Sequence, residues 1–260
     1  MGDLDFENVV FGYGGNALFN GFSASFAKGQ ISCIVGPNGC GKSTLAKLAM
    51  GLMKPASGRV LIQGRDVASL DSRERARRLG VLVQQQEAPM MTVRELAACG
   101  RFPHHGSLSR LNEADARCID ETLSLAGVYD LRDRPLRSLS GGQRQRARMA
   151  MVLAQDTPVV LLDEPTSFMD AAACFDMMRL VRQVRERGKT VIAVIHDLNL
   201  ALSVADAVFV MERGRLAAQG APGEGAVHSA IEQSFGVRLE RAETPSGVAW
   251  VPFERADAYA

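Results

Sequence analysis

The chain has 260 residues, of which 47% are hydrophobic and 23% are charged, and its formal net charge is +1. These values are typical of a globular protein with a substantial buried core, so they argue against a disordered chain. Because acidic and basic residues nearly balance, the sequence gives no overall attraction to nucleic acid or to anionic lipid.

The N-terminal part of the chain is predicted to form short strands, then a glycine-rich loop and a helix. Strands are predicted at residues 4–11, 22–26 and 30–35, with a turn at 12–16. The helix runs to about residue 51 and is followed by a strand near 60–62, a charged helix near 72–78 and a strand at 79–83 that ends at Gln84.

The middle of the chain reads as a helical segment, and strands and helices then alternate again. Residues 92–128 have helical periodicity in at least two pieces, broken at 101–109. Helices at 142–154, 171–187 and 198–205 alternate with strands at 159–162, 190–195 and 207–211. We therefore expect an α/β fold with a mostly parallel core sheet and a helical lobe inserted at about residues 88–155. In the C-terminal extension, about residues 221–260, a pair of short strands is predicted at 237–243 and 248–251, with Trp250 as a packing anchor.

Three further features limit the class of protein. The five cysteines are far apart and form no Cys-x-x-Cys pair, which argues against a zinc site or a disulfide framework and favours a reducing cytoplasm. Every apolar run is shorter than the ~18 residues that a membrane-spanning helix needs, and the acidic start of the chain is unlike a secretory signal. The arginine run at 73–78 is interpreted as a solvated helix face rather than a nucleic-acid patch.

A phosphate-binding loop is predicted between the strand at 30–35 and the following helix. Glycines at three positions let successive N–H groups point into one concavity at a helix N-terminus, where they can meet a polyphosphate. Lys42 is placed to reach the β- and γ-phosphates, and the Ser43 hydroxyl to bind Mg²⁺. The alternative is an ordinary glycine turn before a helix. The loop reads Gly36, Pro37, Asn38, Gly39, Cys40, Gly41, Lys42, Ser43 and Thr44.

Two carboxylates follow the apolar strand at 159–162. Such a strand places charge at the carboxyl edge of a parallel sheet, where α/β folds bind ligands. Asp163 can hold Mg²⁺ through its water shell, and Glu164 can accept a proton from an attacking water. An acidic turn closing a strand would be the alternative interpretation if the phosphate loop were absent.

A second anion-binding helix terminus is predicted at Leu139-Ser140-Gly141-Gly142-Gln143. Ser140 can cap the helix that follows, and the glycines Gly141 and Gly142 expose N–H donors. Taken alone, the segment could equally be a plain N-cap followed by glycines.

With Gly36–Thr44, Leu139–Gln143 and the strand ending in Asp163-Glu164-Pro165 in this order, the chain resembles the ATP-binding subunit of an ABC transporter. The resemblance covers residues from about 4 to 220 and implies a single nucleotide-binding domain, residues 1–260. That domain would contain a RecA-like P-loop core, an N-terminal antiparallel β subdomain and the inserted helical lobe, and its chemistry would be ATP hydrolysis with Mg²⁺.

The resemblance also implies roles for four further residues. Tyr13 matches the aromatic residue that stacks on adenine, and Gln84 matches a glutamine that touches Mg²⁺ and water. Asp170 matches the aspartate of the loop after Glu164, although residues 167–170 read Ser-Phe-Met-Asp where the family more often has Ser-Ala-Leu-Asp. His196 matches the histidine that contacts the γ-phosphate; a structural histidine at a strand end is the alternative.

The partners are likewise implied by the resemblance. Two copies pair head to tail, so that Gly36–Thr44 of one copy faces Ser140, Gly141, Gly142 and Gln143 of the other across each ATP. The dimer works on membrane permease subunits, and through them with a periplasmic substrate-binding protein. The chain would lie at the cytoplasmic face of the inner membrane, without inserting into it and without binding nucleic acid.

Details of the helical lobe resemble one group of importers. The segments 100–104, Gly-Arg-Phe-Pro-His, and 196–199, His-Asp-Leu-Asn, are similar to those of importers for iron siderophores, haem and cobalamin. Residues 151–155, Met-Val-Leu-Ala-Gln, favour ferric siderophore systems. His104 and His105 are interpreted as surface residues or partner contacts rather than metal ligands, because no carboxylate or cysteine stands at ligand spacing in the sequence.

Other classes of protein explain less of the sequence. A soluble ABC ATPase of DNA repair usually carries a long coiled-coil insertion, and a translation factor of this family carries two cassettes. A generic P-loop kinase or GTPase leaves Leu139–Gln143 and His196 unexplained. An exporter and a haem or cobalamin importer remain alternatives to the siderophore importer.

Overall fold

The computed structural model describes residues 2–83, 89–105, 111–167, 169–244 and 247–254. The chain divides into two compact units. The first comprises the described residues between Met1 and Ser69 together with those between Thr190 and Ala260, and the second those between Leu70 and Lys189.

The strands are β1 (Leu4–Tyr13), β2 (Asn16–Phe26), β3 (Ile31–Val35), β4 (Ser57–Ile62), β5 (Arg65–Asp66), β6 (Leu79–Leu82), β7 (Val159–Asp163), β8 (Thr190–Val194), β9 (Ala207–Glu212), β10 (Arg215–Gly220), β11 (Val237–Thr244) and β12 (Gly247–Glu254). The helices are α1 (Lys42–Ala49), α2 (Ser72–Ala76), α3 (Val93–Cys99), α4 (Glu113–Leu125), α5 (Gly141–Ala154), α6 (Ala171–Glu186), α7 (Leu198–Val204) and α8 (Gly225–Phe235).

The N-terminal sheet of the first unit has the strand order β2-β1-β4-β5, and its pairs are antiparallel. The hairpin β1–β2 closes through Gly14 and Gly15, both with positive φ, as a type I′ hairpin turn requires. Buried aromatic rings lie on one face of the sheet. The Phe6 ring packs edge-on against Phe22 and Phe26. The predicted antiparallel N-terminal subdomain is confirmed.

The parallel strands of the first unit lead into two of the predicted site segments, the phosphate loop after β3 and His196 after β8. β3 lies between β8 and β9 and is parallel to both, whereas β10 is antiparallel to β9. All five residues of β3 and all five of β8 are buried, as expected for strands covered on both faces. Residues that follow β3 and β8 therefore emerge at the same edge of the sheet.

In the second unit, β6 and β7 form a parallel pair, and α3, α4 and α5 pack against one another. Each of these three helices begins with a capping box, in which the N-cap side chain and the N3 side chain each bond to the other residue's backbone N–H. The N-cap residues are Thr92, Asn112 and Ser140. The predicted α/β class with mostly parallel strands and inserted helices is thus confirmed, while the lobe boundaries at 88 and 155 stay a prediction.

The C-terminal hairpin is formed by β11 and β12. The Trp250 ring packs edge-on against His228 of α8, with ring centroids 3.9 Å apart, so the predicted packing role of this tryptophan is confirmed. None of the helices in the described part of the chain combines the length and the apolar character needed to cross a bilayer.

Candidate functional site

The predicted phosphate loop lies directly between the carboxyl end of β3 and the start of α1. Gly41, the N-cap of α1, has φ 113°, and a Cβ there would lie 2.8 Å from the Phe19 ring. At Gly36 a Cβ would lie 2.2 Å from the carbonyl oxygen of Met211. Both positions therefore require glycine, the first for its backbone conformation and both for space. Burial raises the pKa of the Cys40 thiol more than nearby Lys42 lowers it, so this cysteine stays a neutral packing residue of the loop.

Lys42 is folded back onto the loop that precedes it. Its Nζ donates to the carbonyl oxygens of Gly36, at 2.7 Å, and Pro37, at 3.0 Å. The residue is 6% exposed, which is unusual for a lysine. The loop thus holds a nearly buried ammonium group at a helix N-terminus, and both features favour an anion.

Tyr13, at the end of β1, is joined to the same loop by its hydroxyl group. The Tyr13 hydroxyl and the Thr44 Oγ1 are 3.1 Å apart, and the hydroxyl also lies 3.4 Å from the Met53 sulfur. The residue as a whole remains 47% exposed. An exposed aromatic face beside a phosphate loop suits the stacking of a base, although its contact with adenine stays a prediction.

His196 lies just beyond the carboxyl end of β8, and its side chain is exposed. The backbone N–H of Ile195 donates to the carbonyl oxygen of Ile34 at 3.2 Å, so the chain before His196 runs beside the end of β3. Asp197 then caps α7 by accepting from the N–H of Leu200. The structure therefore brings His196 to the same sheet edge as the phosphate loop.

In the second unit, the two predicted carboxylates end β7, with Asp163 as its last residue. Glu164 has φ 54°, in the left-handed region that costs a residue other than glycine roughly 1–2 kcal/mol. Its Oε2 accepts a hydrogen bond from the Ser167 hydroxyl at 2.8 Å. Strained backbone of this kind clusters at functional sites because it directs a side chain to a fixed place.

Ser140 caps α5 as predicted. Its Oγ accepts from the Gln143 N–H at 3.3 Å, and Gln143 Oε1 accepts from the Ser140 N–H at 3.0 Å. Ser140 and Gly141 are exposed. Because the Ser140 oxygen acts as acceptor in the cap, the hydroxyl can still donate its hydrogen to an anion outside the helix.

Asp170 is the N-cap of α6, where its Oδ1 accepts from the N–H of Ala173 at 2.8 Å. Ala173 in turn lies close to Ser140–Gln143, the signature segment, since a Cβ placed on Gly142 would meet the Ala173 Cβ at 3.3 Å. The second unit thus holds Asp170 and Ser140–Gln143 on neighbouring helix starts. Gln84, predicted to touch Mg²⁺, lies outside the described residues.

The two adjacent histidines, for which the sequence suggested surface residues or partner contacts, are half-buried and make contacts within the second unit. His104 Nε2 lies 2.8 Å from the carbonyl oxygen of Gln155, and His105 Nε2 lies 2.8 Å from Asp115 Oδ2. Arg101 Nε donates to the other oxygen of Asp115 at 2.9 Å. This pairing could not be read from the sequence, because Asp115 is ten residues beyond His105 and belongs to α4.

Asp115 is 2% exposed and forms the centre of this cluster. Burial alone would raise its pKa, but hydrogen bonds from the Asn112 N–H and Arg101, together with the neighbouring His105 ring, outweigh that effect and lower the pKa to about 2. The carboxylate is therefore ionised throughout the physiological range, and it fixes the segment after α3 onto α4.

Comparison with known proteins identifies the family. The family model described as ABC transporter matches residues 19–167, more than half of the chain. This chain belongs to the ABC transporter family. Within that family it is an ATPase.

Similar ABC proteins include the ferric enterobactin transport ATP-binding protein FepC of Escherichia coli, 39% identical, with 92% of this chain and 89% of FepC covered. The achromobactin transport ATP-binding protein CbrD of Dickeya dadantii is 42% identical, with 84% of this chain and 82% of CbrD covered. Among solved structures, the dimeric MJ0796, a bacterial ABC transporter cassette, matches with a TM-score of 0.74 and 27% identity, with 85% of this chain and 99% of that one covered.

Proposed function

We propose that this chain is the ATP-hydrolysing subunit of an importer for an iron-siderophore type of substrate. The observation that carries the proposal is its similarity, over most of its length, to FepC and CbrD, which are named for the transport of enterobactin and achromobactin. In this proposal the chain works with separate membrane permease subunits at the cytoplasmic face of the inner membrane. A periplasmic binding protein delivers the substrate to the permease.

Each nucleotide is proposed to lie between two copies arranged head to tail. The exposed Ser140 and Gly141 support this arrangement, because an anion-binding helix end that faces solvent is complete only when another molecule brings the anion to it. The dimeric cassette MJ0796 is a precedent for paired copies within the family. Gly36–Thr44 of one copy and Ser140–Gln143 of the other would then share the γ-phosphate.

Mg²⁺ fits the donor set that the chain offers. The Ser43 hydroxyl is exposed at the start of α1, and Asp163 supplies a carboxylate, with the Gln84 amide oxygen as a third donor from the sequence. Hydroxyl, carboxylate and amide oxygens are the ligands that Mg²⁺ prefers. When bound, the ion would neutralise charge on the β- and γ-phosphates.

The remaining roles are proposed for the residues of this chain. Lys42 and the N–H groups of the loop bind the phosphates, and the Tyr13 ring stacks on the adenine. Glu164 accepts the proton of the attacking water, His196 orients that water against the γ-phosphate, and Asp170 supports the second copy's site. Phosphoryl transfer needs positioning and charge stabilisation more than covalent chemistry, and this set supplies both.

Reconstitution with the membrane permease subunits and the binding protein of a siderophore importer would test the proposal. We expect ATP hydrolysis to rise when a ferric siderophore is supplied on the periplasmic side, and to stay at its basal rate with haem or cobalamin. The same complex containing Lys42→Ala is the control and should show no stimulation. Stimulation by haem or cobalamin alone would overturn the proposed cargo.

A further inference from the structure

The Glu164 carboxylate is held by a hydroxyl group from the loop that follows it. The Ser167 hydroxyl donates to Glu164 Oε2 at 2.8 Å. Both residues are half-buried, and both belong to the second unit. Neither the family resemblance nor the proposed function gives Ser167 a role, although its side chain contacts the proposed base.

The turn between these two residues is closed without the Ser167 hydroxyl. The Ser167 N–H donates to the carbonyl oxygen of Glu164 at 3.2 Å, and Pro165 occupies the second position of the turn, where its fixed φ is favourable. Farther along the loop, the Met169 N–H donates to the carbonyl oxygen of Thr166 at 3.3 Å. Because backbone hydrogen bonds already hold the loop, the hydroxyl bond acts on the Glu164 side chain rather than on the course of the chain.

The backbone of Glu164 directs its side chain but does not by itself fix the carboxylate. With φ 54°, the residue points its Cα–Cβ bond in a direction that strand and helix conformations do not give. Three side-chain torsions then separate the backbone from the carboxylate oxygens, and each can take alternative values. A hydrogen bond to Oε2 restricts these torsions at the far end, and hydrogen bonds to charged groups are among the stronger kinds. The Glu164 side chain is therefore anchored at both ends.

Such an anchor matters for a group that accepts a proton. A general base works only when its oxygen lies within hydrogen-bond reach of the water whose proton it takes, and a misplacement of about 1 Å can cost on the order of 100-fold in rate. A serine hydroxyl is a neutral donor, so it can orient a carboxylate without neutralising the charge that attracts the proton. The chemistry of the Ser167 contact therefore suits the support of a base.

We propose that Ser167 is a positioning residue for Glu164, whose carboxylate it holds in the orientation that accepts the proton of the attacking water. The inference deepens the proposed function and rests on it for the role of Glu164. Ser167 contacts neither the nucleotide nor the attacking water in this proposal, so its whole effect on ATP hydrolysis passes through Glu164.

Ser167→Ala tests the inference through the basal ATP turnover of the full chain. We expect kcat to fall by about tenfold, as the loss of one hydrogen bond to a charged group predicts, while KM for ATP stays unchanged. Ser167→Thr keeps the hydroxyl and should restore most of kcat. Ser69→Ala is the matched control, because it also removes a hydroxyl that donates to a residue three positions earlier, and it should alter neither kcat nor KM.

The pH dependence of kcat gives a readout that a loss of stability would not produce. A carboxylate that loses a hydrogen-bond donor binds a proton more readily, so the acid limb of the profile should move to higher pH in Ser167→Ala. The thermal unfolding of this variant should match that of the unaltered chain, because backbone bonds close the turn. Ser167→Cys is the second variant, since a thiol is similar in shape but a weak donor, and it should lower kcat as Ser167→Ala does.

A double-mutant cycle with Glu164→Gln separates this inference from the proposed function. Glu164→Gln and Glu164→Gln/Ser167→Ala should have the same residual turnover, because Ser167 acts only through the carboxylate. A normal kcat in Ser167→Ala, an unmoved acid limb, or a further fall of about tenfold in the double variant would overturn the inference while Glu164 keeps its role. Normal turnover in Glu164→Gln would instead remove the base that the proposed function assigns, and the inference with it.

Discussion

The phosphate loop and the signature segment are both helix starts suited to anions, but they are built differently. The loop wraps around its own cation, with Lys42 nearly buried and held by two carbonyl oxygens. Ser140, by contrast, is an exposed N-cap whose bonds are those of an ordinary capping box. The first device has its own buried ammonium group beside a helix start, whereas the second is an exposed helix start alone. In the proposed function, a single copy therefore binds nucleotide through the loop, and turnover depends on the surface of another copy.

Glu164→Gln should have the largest effect. It separates the binding of ATP, by the phosphate loop and by the signature segment, from the hydrolysis of ATP. Loss of a general base commonly costs 10²–10⁴-fold in rate, so we expect ATP hydrolysis to fall by at least about 100-fold. ATP binding should be retained, and a dimer should accumulate with ATP, which size-exclusion chromatography would detect. Normal turnover in this variant would remove Glu164 from the proposed role.

Lys42→Ala tests whether the loop is complete in one copy. Charge-assisted hydrogen bonds contribute roughly 1.5–3 kcal/mol, so nucleotide affinity of the isolated chain should weaken by about tenfold to a hundredfold in a calorimetric titration. Lys47→Ala, at an exposed lysine of the same helix, is the matched control. Undiminished affinity in Lys42→Ala would refute the loop as the phosphate site.

Substitution of Ser140 tests the other device. Ser140→Ala should leave the nucleotide affinity of the isolated chain unchanged but abolish cooperative ATP turnover in the assembled complex. The lost cap should also lower stability by about 1 kcal/mol. Ser140→Asp separates the two effects, because aspartate caps a helix well but repels a phosphate. The free energy of unfolding should therefore return to that of the unaltered chain, while cooperative ATP turnover should stay absent. Cooperative turnover in Ser140→Ala would mean that the second copy's surface is dispensable.

Tyr13→Phe should have the smallest effect. It keeps the ring for stacking and removes only the hydroxyl contact with Thr44, a loss of about 0.5–1.5 kcal/mol at most. Nucleotide affinity should fall by no more than about tenfold, whereas Tyr13→Ala should weaken it further. If Tyr13→Phe lowered the nucleotide affinity as much as Tyr13→Ala does, the ring would have no stacking role.

Much of this architecture could be predicted from the sequence, because its motifs specify local backbone as well as chemistry. The strand before Gly36 and the helix capped by Ser140 were both predicted within one or two residues, whereas α1 begins at Lys42, inside the predicted loop. Strand β10 and helix α8 were not predicted from the sequence, and each has a physical reason. The residues of β10, Arg-Leu-Ala-Ala-Gln-Gly, have weak strand preference, so pairing with β9 decides their conformation. Helix α8 begins after Glu224 without a side-chain cap, which removes the usual start signal.

Part of the site lay beyond sequence reasoning because it depends on tertiary contacts. The left-handed backbone of Glu164 could not be expected, since that conformation is chiefly adopted by glycine and asparagine. The pairing of His105 with Asp115 joins two segments whose spacing gives no signal. The roles of Tyr13, Gln84, Glu164, Asp170 and His196 in catalysis or binding stay predictions, and the variants described above test those of Tyr13 and Glu164.

The contact between Trp250 and His228 gives this protein a built-in optical reporter. Trp250 is the sole tryptophan of the sequence, so indole emission comes from one known place, the C-terminal hairpin. Detachment of the hairpin would expose the indole to water and red-shift its emission, which allows its docking to be followed in real time while ATP turns over elsewhere in the chain.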